Sequence, residues 1–140
     1  MEQNILAFFQ NYAAACNRGD DEAAANAFAP DFLYADEGGS KIVRREQMRA
    51  GIEQRRKSLG SSGAGLTVLE HVEVTMLDSH LALARTLWRI DSSTGQSPLS
   101  LESSFLVEVR GETMQILAYL AHVSLAQALR NRESASQLAE

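Results

Sequence analysis

The chain has one cysteine, Cys16, in 140 residues, so no internal disulfide can staple it. Its stability must come from a core, and a chain of this length buries about two-thirds of the surface it exposes when unfolded. Only 2 prolines occur, which leaves long elements uninterrupted. No run of about 18 apolar residues is present, so no segment reads as a membrane-spanning helix. There is no basic excess: 13 Lys and Arg stand against 18 Asp and Glu, for a net charge of −5. A nucleic-acid surface needs the opposite balance. The opening Met1-Glu2-Gln3-Asn4 lacks the basic stretch of a secretory signal. These absences lead us to expect a cytoplasmic protein with neither nucleic acid nor membrane as partner. Repeats, linkers and low-complexity tracts are also missing. One domain is expected over residues 1–123, followed by a polar tail, 124–140, of possible helical character.

Chemical signatures are scarce as well. No His-Glu-x-x-His occurs, and His71 and His80 stand apart from any ligand cluster, so no metal is expected. No Gly-x-Gly-x-x-Gly occurs, and Gly60, Gly63 and Gly65 lack the lysine of a phosphate-binding loop. No organic cofactor is implied. Cys16 falls on an apolar helix stripe, where thiols are usually inert.

What is present is periodicity. Ile5, Phe8, Phe9, Tyr12 and Cys16 recur at helical spacing, with Asn4 as candidate cap and Gly19 as stop. Asp20 caps a second, short helix carrying Ala24, Ala27 and Phe28, ended by Pro30. Asp31 to Asp36 reads as a strand with Phe32, Tyr34 and Asp36 on one face. Gly38-Gly39-Ser40 breaks it. A third helix is expected from about Arg45 to Leu59, with Met48, Ile52 and Leu59 inward, then a loop at Gly60 to Gly63. From Gly65 onward the period is two, through four strands. Ser92 to Pro98 reads as a loop between the second and third of them. On the third, Leu99, Leu101, Phe105, Val107 and Val109 share a face with one polar member, Ser103. On the last, Thr113 to Val123, Ile116, Ala118, Leu120 and His122 share a face. The order implies an α+β fold with an antiparallel sheet.

Short stretches in this order resemble the nuclear-transport-factor-two-like superfamily, and within it the SnoaL-like and ketosteroid-isomerase-like branch. They are Tyr12-Ala-Ala-Ala-Cys16-Asn17-Arg18-Gly19-Asp20, Phe28-Ala-Pro-Asp-Phe-Leu-Tyr-Ala-Asp36, Glu37-Gly38-Gly39-Ser40 and Ile116-Leu-Ala-Tyr119. The resemblance implies a cone-shaped, curved antiparallel sheet wrapped around the N-terminal helices, a cystatin-like roll with a pocket at its open end. It places Tyr12 as oxyanion donor, Asp36 as proton-shuttling base and Ser103 where the isomerases carry a protonated aspartate.

Each candidate carries two readings. Asp36, pointed into an apolar pocket, is a general base; at the strand end in water it is a turn cap. Tyr12 is an oxyanion donor or a core tyrosine bonded to protein. His122 is an acid or base at a pocket mouth, or a solvated strand end. Trp88, Tyr34, Phe32, Phe105 and Leu120 line a ligand cavity or fill a core. The basic run Lys41, Arg44, Arg45, Arg49, Arg55, Arg56 and Lys57 reads as a solvated helix face. Leu83, Leu87, Leu106, Leu117 and Tyr119 read as an outer apolar face suited to a homodimer.

The functional expectation is a pocket for a small apolar or carbonyl-containing molecule. A cofactor-independent isomerase, cyclase or dehydratase-like lyase would use Asp36, Tyr12, Ser103 and His122. The alternative is a non-catalytic ligand-binding or dimeric interaction module of the same fold.

Overall fold

Ile5, Phe9 and Tyr12 follow one another at i, i+4 and i+7, which brings them onto one side of a helix. All three are buried on α1 (Glu2–Asn17). The computed structural model of the chain describes residues 2–61, 64–92, 95 and 97–139. Helix α1 begins before Asn4, which is therefore an interior residue and not the expected cap. Its end is as the sequence suggests. Gly19 takes φ +74°, its N–H donates to the Cys16 carbonyl (3.2 Å), and the Asp20 N–H donates to the Ala15 carbonyl (2.9 Å). This pairing satisfies carbonyls that the helix end leaves open, and glycine adopts it without a Cβ clash. Asp20 then caps α2 (Asp21–Ala25), accepting the Ala23 N–H at 3.1 Å.

The next elements differ from expectation. Phe28 belongs not to α2 but to β1 (Phe28–Asp36), and Pro30 lies inside that strand. A second strand, β2 (Gly39–Arg44), follows a tight turn in which Asp36 pairs with Gly39. The sequence reading missed β2 because it is short, polar and largely exposed. Helix α3 (Arg45–Ser61) runs two residues past Leu59, into the expected loop. Residues 62 and 63 of that loop lie outside the described residues, as do 93, 94 and 96 of the loop expected from Ser92 to Pro98. The remaining elements are β3 (Ala64–Met76), β4 (Leu81–Ser92), β5 (Leu99–Arg110), β6 (Thr113–Ala121) and α4 (Leu125–Ala139).

Six strands form one open, curved sheet in the order β2-β1-β6-β5-β4-β3. The β1–β6 pair is parallel; the other pairs are antiparallel. The parallel pair corrects a purely antiparallel expectation. It arises because β1 joins the sheet between β2 and the last strand, which is far from it in sequence. Register shifts between Phe28 and Leu33 on this pair, so the ladder makes no demand there on the missing N–H of Pro30. Arg45, at the start of α3, uses Nε and an Nη to donate to the Phe28 carbonyl at 2.9 and 2.7 Å, fixing α3 to the root of β1.

Strand β5 is the spine of the core. Leu99, Leu101, Ser103, Phe105, Val107 and Val109 are all buried, alternating with more exposed residues. On β4 the inner face is Ala82, Ala84, Thr86, Trp88 and Ile90. Thr86 is the buried polar member, and it is satisfied: its hydroxyl donates to the Ser103 carbonyl (3.0 Å) and accepts the Trp88 indole N–H (2.7 Å).

On β6 the expected faces are reversed beyond Ile116. Val107 pairs with Ile116 and Leu106 with Ala118, so Leu117 is an extra residue that the ladder skips. Such a bulge switches the phase of alternation. Ile116 stays inward, but Tyr119 and Ala121 now turn in, opposite Phe105 and Ser103. Ala118, Leu120 and His122 turn outward, and Tyr119 leaves the predicted outer face. On that outer face the register aligns Ile42, Leu33, Ala118, Leu106 and Leu83 as successive cross-strand neighbours.

Candidate functional site

Helix α3 crosses the open side of the sheet and leaves a space beneath it. Two cavity lobes occupy that space, of about 220 and 440 Å³. They share Ile52 and Arg55 of α3, Leu101 and Ser103 of β5, and Tyr119 of β6 in their walls. The smaller lobe reaches toward Tyr12, Cys16, Trp88 and Phe105. The larger lobe reaches toward Tyr34, Asp36, Lys41 and the start of α4. Lobes of this size, walled mainly by apolar side chains with a few polar groups, suit a small organic molecule.

Aromatic packing fixes the walls. Tyr12 meets Phe28 and Trp88 edge-on, with ring centres 5.8 and 6.1 Å apart. Phe105 lies 4.7 Å from Tyr119, and Tyr34 meets Tyr119 edge-on at 5.4 Å. Asn17 clamps the end of α1 to β3: its amide donates to the Thr67 carbonyl and its Oδ1 accepts the Thr67 N–H, both at 2.9 Å.

The candidates from sequence divide as follows. Ser103 is buried and borders both lobes. Tyr12 borders the smaller lobe and Asp36 the larger, so they flank the shared wall from opposite sides. Tyr12 is buried, with the Cys16 thiol beside its phenol. Burial, with Cys16 and Tyr119 beside it, pushes that phenol well above the usual tyrosine range. Burial likewise pushes the Cys16 thiol up. Asp36 is half-buried with both oxygens engaged. Oδ2 accepts the Tyr34 hydroxyl (2.9 Å), and Oδ1 accepts the Gly38 N–H (2.7 Å). The turn-cap bond is thus made by a carboxylate that also borders the larger lobe. Burial, then this bond to Asp36, raises the Tyr34 phenol, which stays protonated and able to donate.

Trp88 and Phe105 border the smaller lobe and Tyr34 the larger. Phe32 borders neither; it is core, 4.6 Å from Phe28. Leu120 and His122 are removed from the cavity by the Leu117 bulge. His122 sits on the outer face, its Nε2 2.8 Å from the Ser104 hydroxyl and its Nδ1 3.7 Å from Glu102. Glu102 also binds Arg85, which with His122 holds its carboxyl below the usual range.

Two site residues escaped the sequence reading. Tyr119 was assigned to the outer face. Arg55 was grouped with a solvated basic face, yet it stands seven residues after Met48 and three after Ile52, on the stripe that faces the core. Of the rest of that basic run, Arg45 binds the Phe28 carbonyl, Arg56 binds Asp21 at 2.7 Å and Lys57 binds Glu53 at 3.2 Å, while Lys41 borders the larger lobe. Among the described residues no group of three His, Cys, Asp or Glu is placed to share a metal ion.

The larger lobe is bordered on one side by the start of α4. Ser124 caps this helix, accepting the Gln127 N–H at 3.1 Å, while Leu125, Ala128 and Leu129 pack on the core. Glu37 holds the cap: Oε1 accepts the Ser124 hydroxyl (2.6 Å) and Oε2 its N–H (3.1 Å). The Ser124 hydroxyl is the main reason the Glu37 carboxyl lies below the usual range. A lowered folded-state value means that the clamp is intact above the unfolded pKa and is lost as pH falls through the folded one. The Ser124 amide resonance should therefore titrate with a midpoint below about 4.3, the value of a free glutamate. A midpoint at or above it would place Glu37 free in water.

Comparison with known proteins agrees with this architecture. The family model described as NTF2-like protein (DUF6841) matches residues 2–124. An NTF-2 like protein of unknown function from Shewanella oneidensis MR-1 has 16% identity and a TM-score of 0.71, covering 86% of this chain and 98% of that one. A protein of unknown function with a cystatin-like fold from Nostoc punctiforme has 13% identity and a TM-score of 0.70, covering 91% and 94%. An NTF2-like protein with a cystatin-like fold from Novosphingobium aromaticivorans has 19% identity and a TM-score of 0.70, covering 94% and 87%. No curated protein matches the chain. Identities this low carry the fold alone, since one fold hosts many chemistries. The match over residues 2–124, with the helices, sheet order and curvature described above, shows that the chain belongs to the NTF2-like protein family DUF6841.

Proposed function

We propose that this chain holds a small, largely apolar molecule in the two-lobed cavity beneath α3. The observation that carries this reading is the shared wall: Ile52, Leu101, Ser103, Arg55 and Tyr119 border both lobes, so the lobes lie side by side within reach of one ligand. Trp88, the only tryptophan of the chain, borders the smaller lobe and gives the test. Titration with aryl alcohols such as 2-naphthylmethanol should change its emission saturably. Emission that stays flat across a graded series of such alcohols rejects the reading.

A second reading, catalysis of the isomerase, cyclase or dehydratase-like kind found in the SnoaL-like and ketosteroid-isomerase-like branch, is favoured by one observation. The Asp36 carboxylate borders the larger lobe with Tyr34 donating to it. A carboxylate so placed can take a proton from carbon beside a carbonyl while the Ser103 or Tyr119 hydroxyl donates to the oxygen that gains charge. Asp36→Asn then leaves the Trp88 response intact and removes turnover of a carbonyl substrate. Equal turnover in the variant excludes Asp36 as base.

The outer face supports a homodimer, because the row Ile42, Leu33, Ala118, Leu106 and Leu83 crosses five strands without a charge. Leu106→Lys within this row should shift sedimentation at micromolar concentration from dimer to monomer. A monomeric parent protein contradicts this part of the proposal.

A further inference from the structure

Arg55 lies where the two lobes meet, and its surroundings are unlike those of the other cations of α3. Some of the residue reaches solvent, but its guanidinium is withdrawn from water beside the Tyr119 phenol. Its polar neighbours are the phenols of Tyr119 and Tyr12 and the thiol of Cys16. Burial pulls the Arg55 pKa down, yet these neighbours leave it above the ordinary arginine value. Tyr12 and Cys16 are themselves pushed up by burial, so neither carries a negative charge at neutral pH. Among the described residues, no carboxylate is paired with Arg55. Asp21 binds Arg56 through Oδ2 and keeps Oδ1 buried without a partner, but neither oxygen lies within ion-pair distance of Arg55; Glu53 binds Lys57, and both oxygens of Asp36 are engaged by Tyr34 and Gly38.

A desolvated cation with no counter-charge is costly in a protein that has nothing else to gain from it. An oxyanion arriving in the cavity would supply the missing charge. The guanidinium fork matches a carboxylate in two places at once. The phenols beside it would donate to the same oxygens. Apolar walls on either side, Trp88 and Phe105 in one lobe and Val43 and Met48 in the other, would take the body of the molecule. At the far end of the larger lobe Asp36 and Lys41 bring opposite charges, so that end draws an anion less than Arg55 does.

We propose that the ligand of this cavity is a small organic acid, its carboxylate paired with Arg55 and its apolar body filling the lobes on either side. This rests on the pocket reading given above and names the chemical class of its occupant.

The test compares each acid with its own amide, which keeps shape and removes charge: trans-cinnamate with cinnamamide, and 2-naphthoate with 2-naphthamide. Binding is read by calorimetry and by Trp88 emission. The acids should bind at least about tenfold tighter, as expected when a charged hydrogen-bonded pair replaces a neutral one. Arg55→Met should erase that preference while keeping amide binding. Without ligand, its Tm should equal or exceed that of the parent, since a buried unpaired charge has been removed. Arg55→Lys should retain part of the preference. Amides that bind as tightly as acids, or a preference that survives in Arg55→Met, overturn the proposal but leave the pocket reading standing. If no acid or amide binds and the aryl alcohols also leave Trp88 unchanged, both fall. An Arg55→Met protein that melts well below the parent or fails to fold makes Arg55 a structural residue and also overturns the proposal.

Discussion

Phe28→Ala is expected to lower the free energy of unfolding by about 3–5 kcal/mol, the range for truncating a fully buried phenylalanine. Phe28 has no exposed surface. Its ring meets three others: Tyr12 of α1 edge-on, Phe32 of β1 at 4.6 Å and Tyr119 of β6 at 6.2 Å. Its carbonyl receives two hydrogen bonds from Arg45. One residue therefore joins the first helix, the parallel strand pair and the start of α3. Natural domains have only about 5–15 kcal/mol in total, so the loss is a large share of stability. Urea denaturation checks it. A loss below about 1 kcal/mol, typical of surface positions, would mean that the cluster does not organise the fold.

Ser103→Phe is expected to abolish ligand binding without unfolding the protein. Ser103 is buried, borders both lobes, and its side chain faces the space under α3. A benzyl group there fills the junction that one ligand must cross. Overpacking costs typically 1–3 kcal/mol, less where there is empty volume to receive the added atoms. Affinity for a ligand that binds the parent should fall more than tenfold, about 1.4 kcal/mol, while Tm changes by only a few degrees. Unchanged affinity would put the ligand elsewhere.

Much of this architecture is legible in the sequence, and the failures have identifiable causes. The alternation from Leu99 to Val109 appears on β5 as read, with Ser103 as its polar member, because one strand face is buried and the other is not. The α1 stripe and the Gly19 stop are legible because helix period and left-handed glycine are local signals. On β6, Ile116 to Ala121 is apolar in both phases, so no local pattern announces the bulge at Leu117. Misplacement of Tyr119, Leu120 and His122 follows from that one skipped residue. Phe28 was read as helical because Ala23 to Ala29 is alanine-rich; its burial against β6 overrides that propensity. Within the site, Tyr12, Tyr34, Trp88, Phe105, Ser103 and Asp36 were legible as members of inward faces. Arg55 was hidden by its charged neighbours, though its spacing from Met48 and Ile52 carried the signal. Composition alone cannot separate the guanidinium that borders both lobes from those of its charged neighbours.

The claim on which this account depends is that the space between α3 and the sheet admits a ligand. Crystals soaked with 4-bromobenzyl alcohol test it most directly, through anomalous scattering at the bromine edge. The account predicts a bromine peak among Trp88, Phe105, Tyr119 and Ile52. Bromine found only on the outer surface, with those side chains closed on one another, would contradict it.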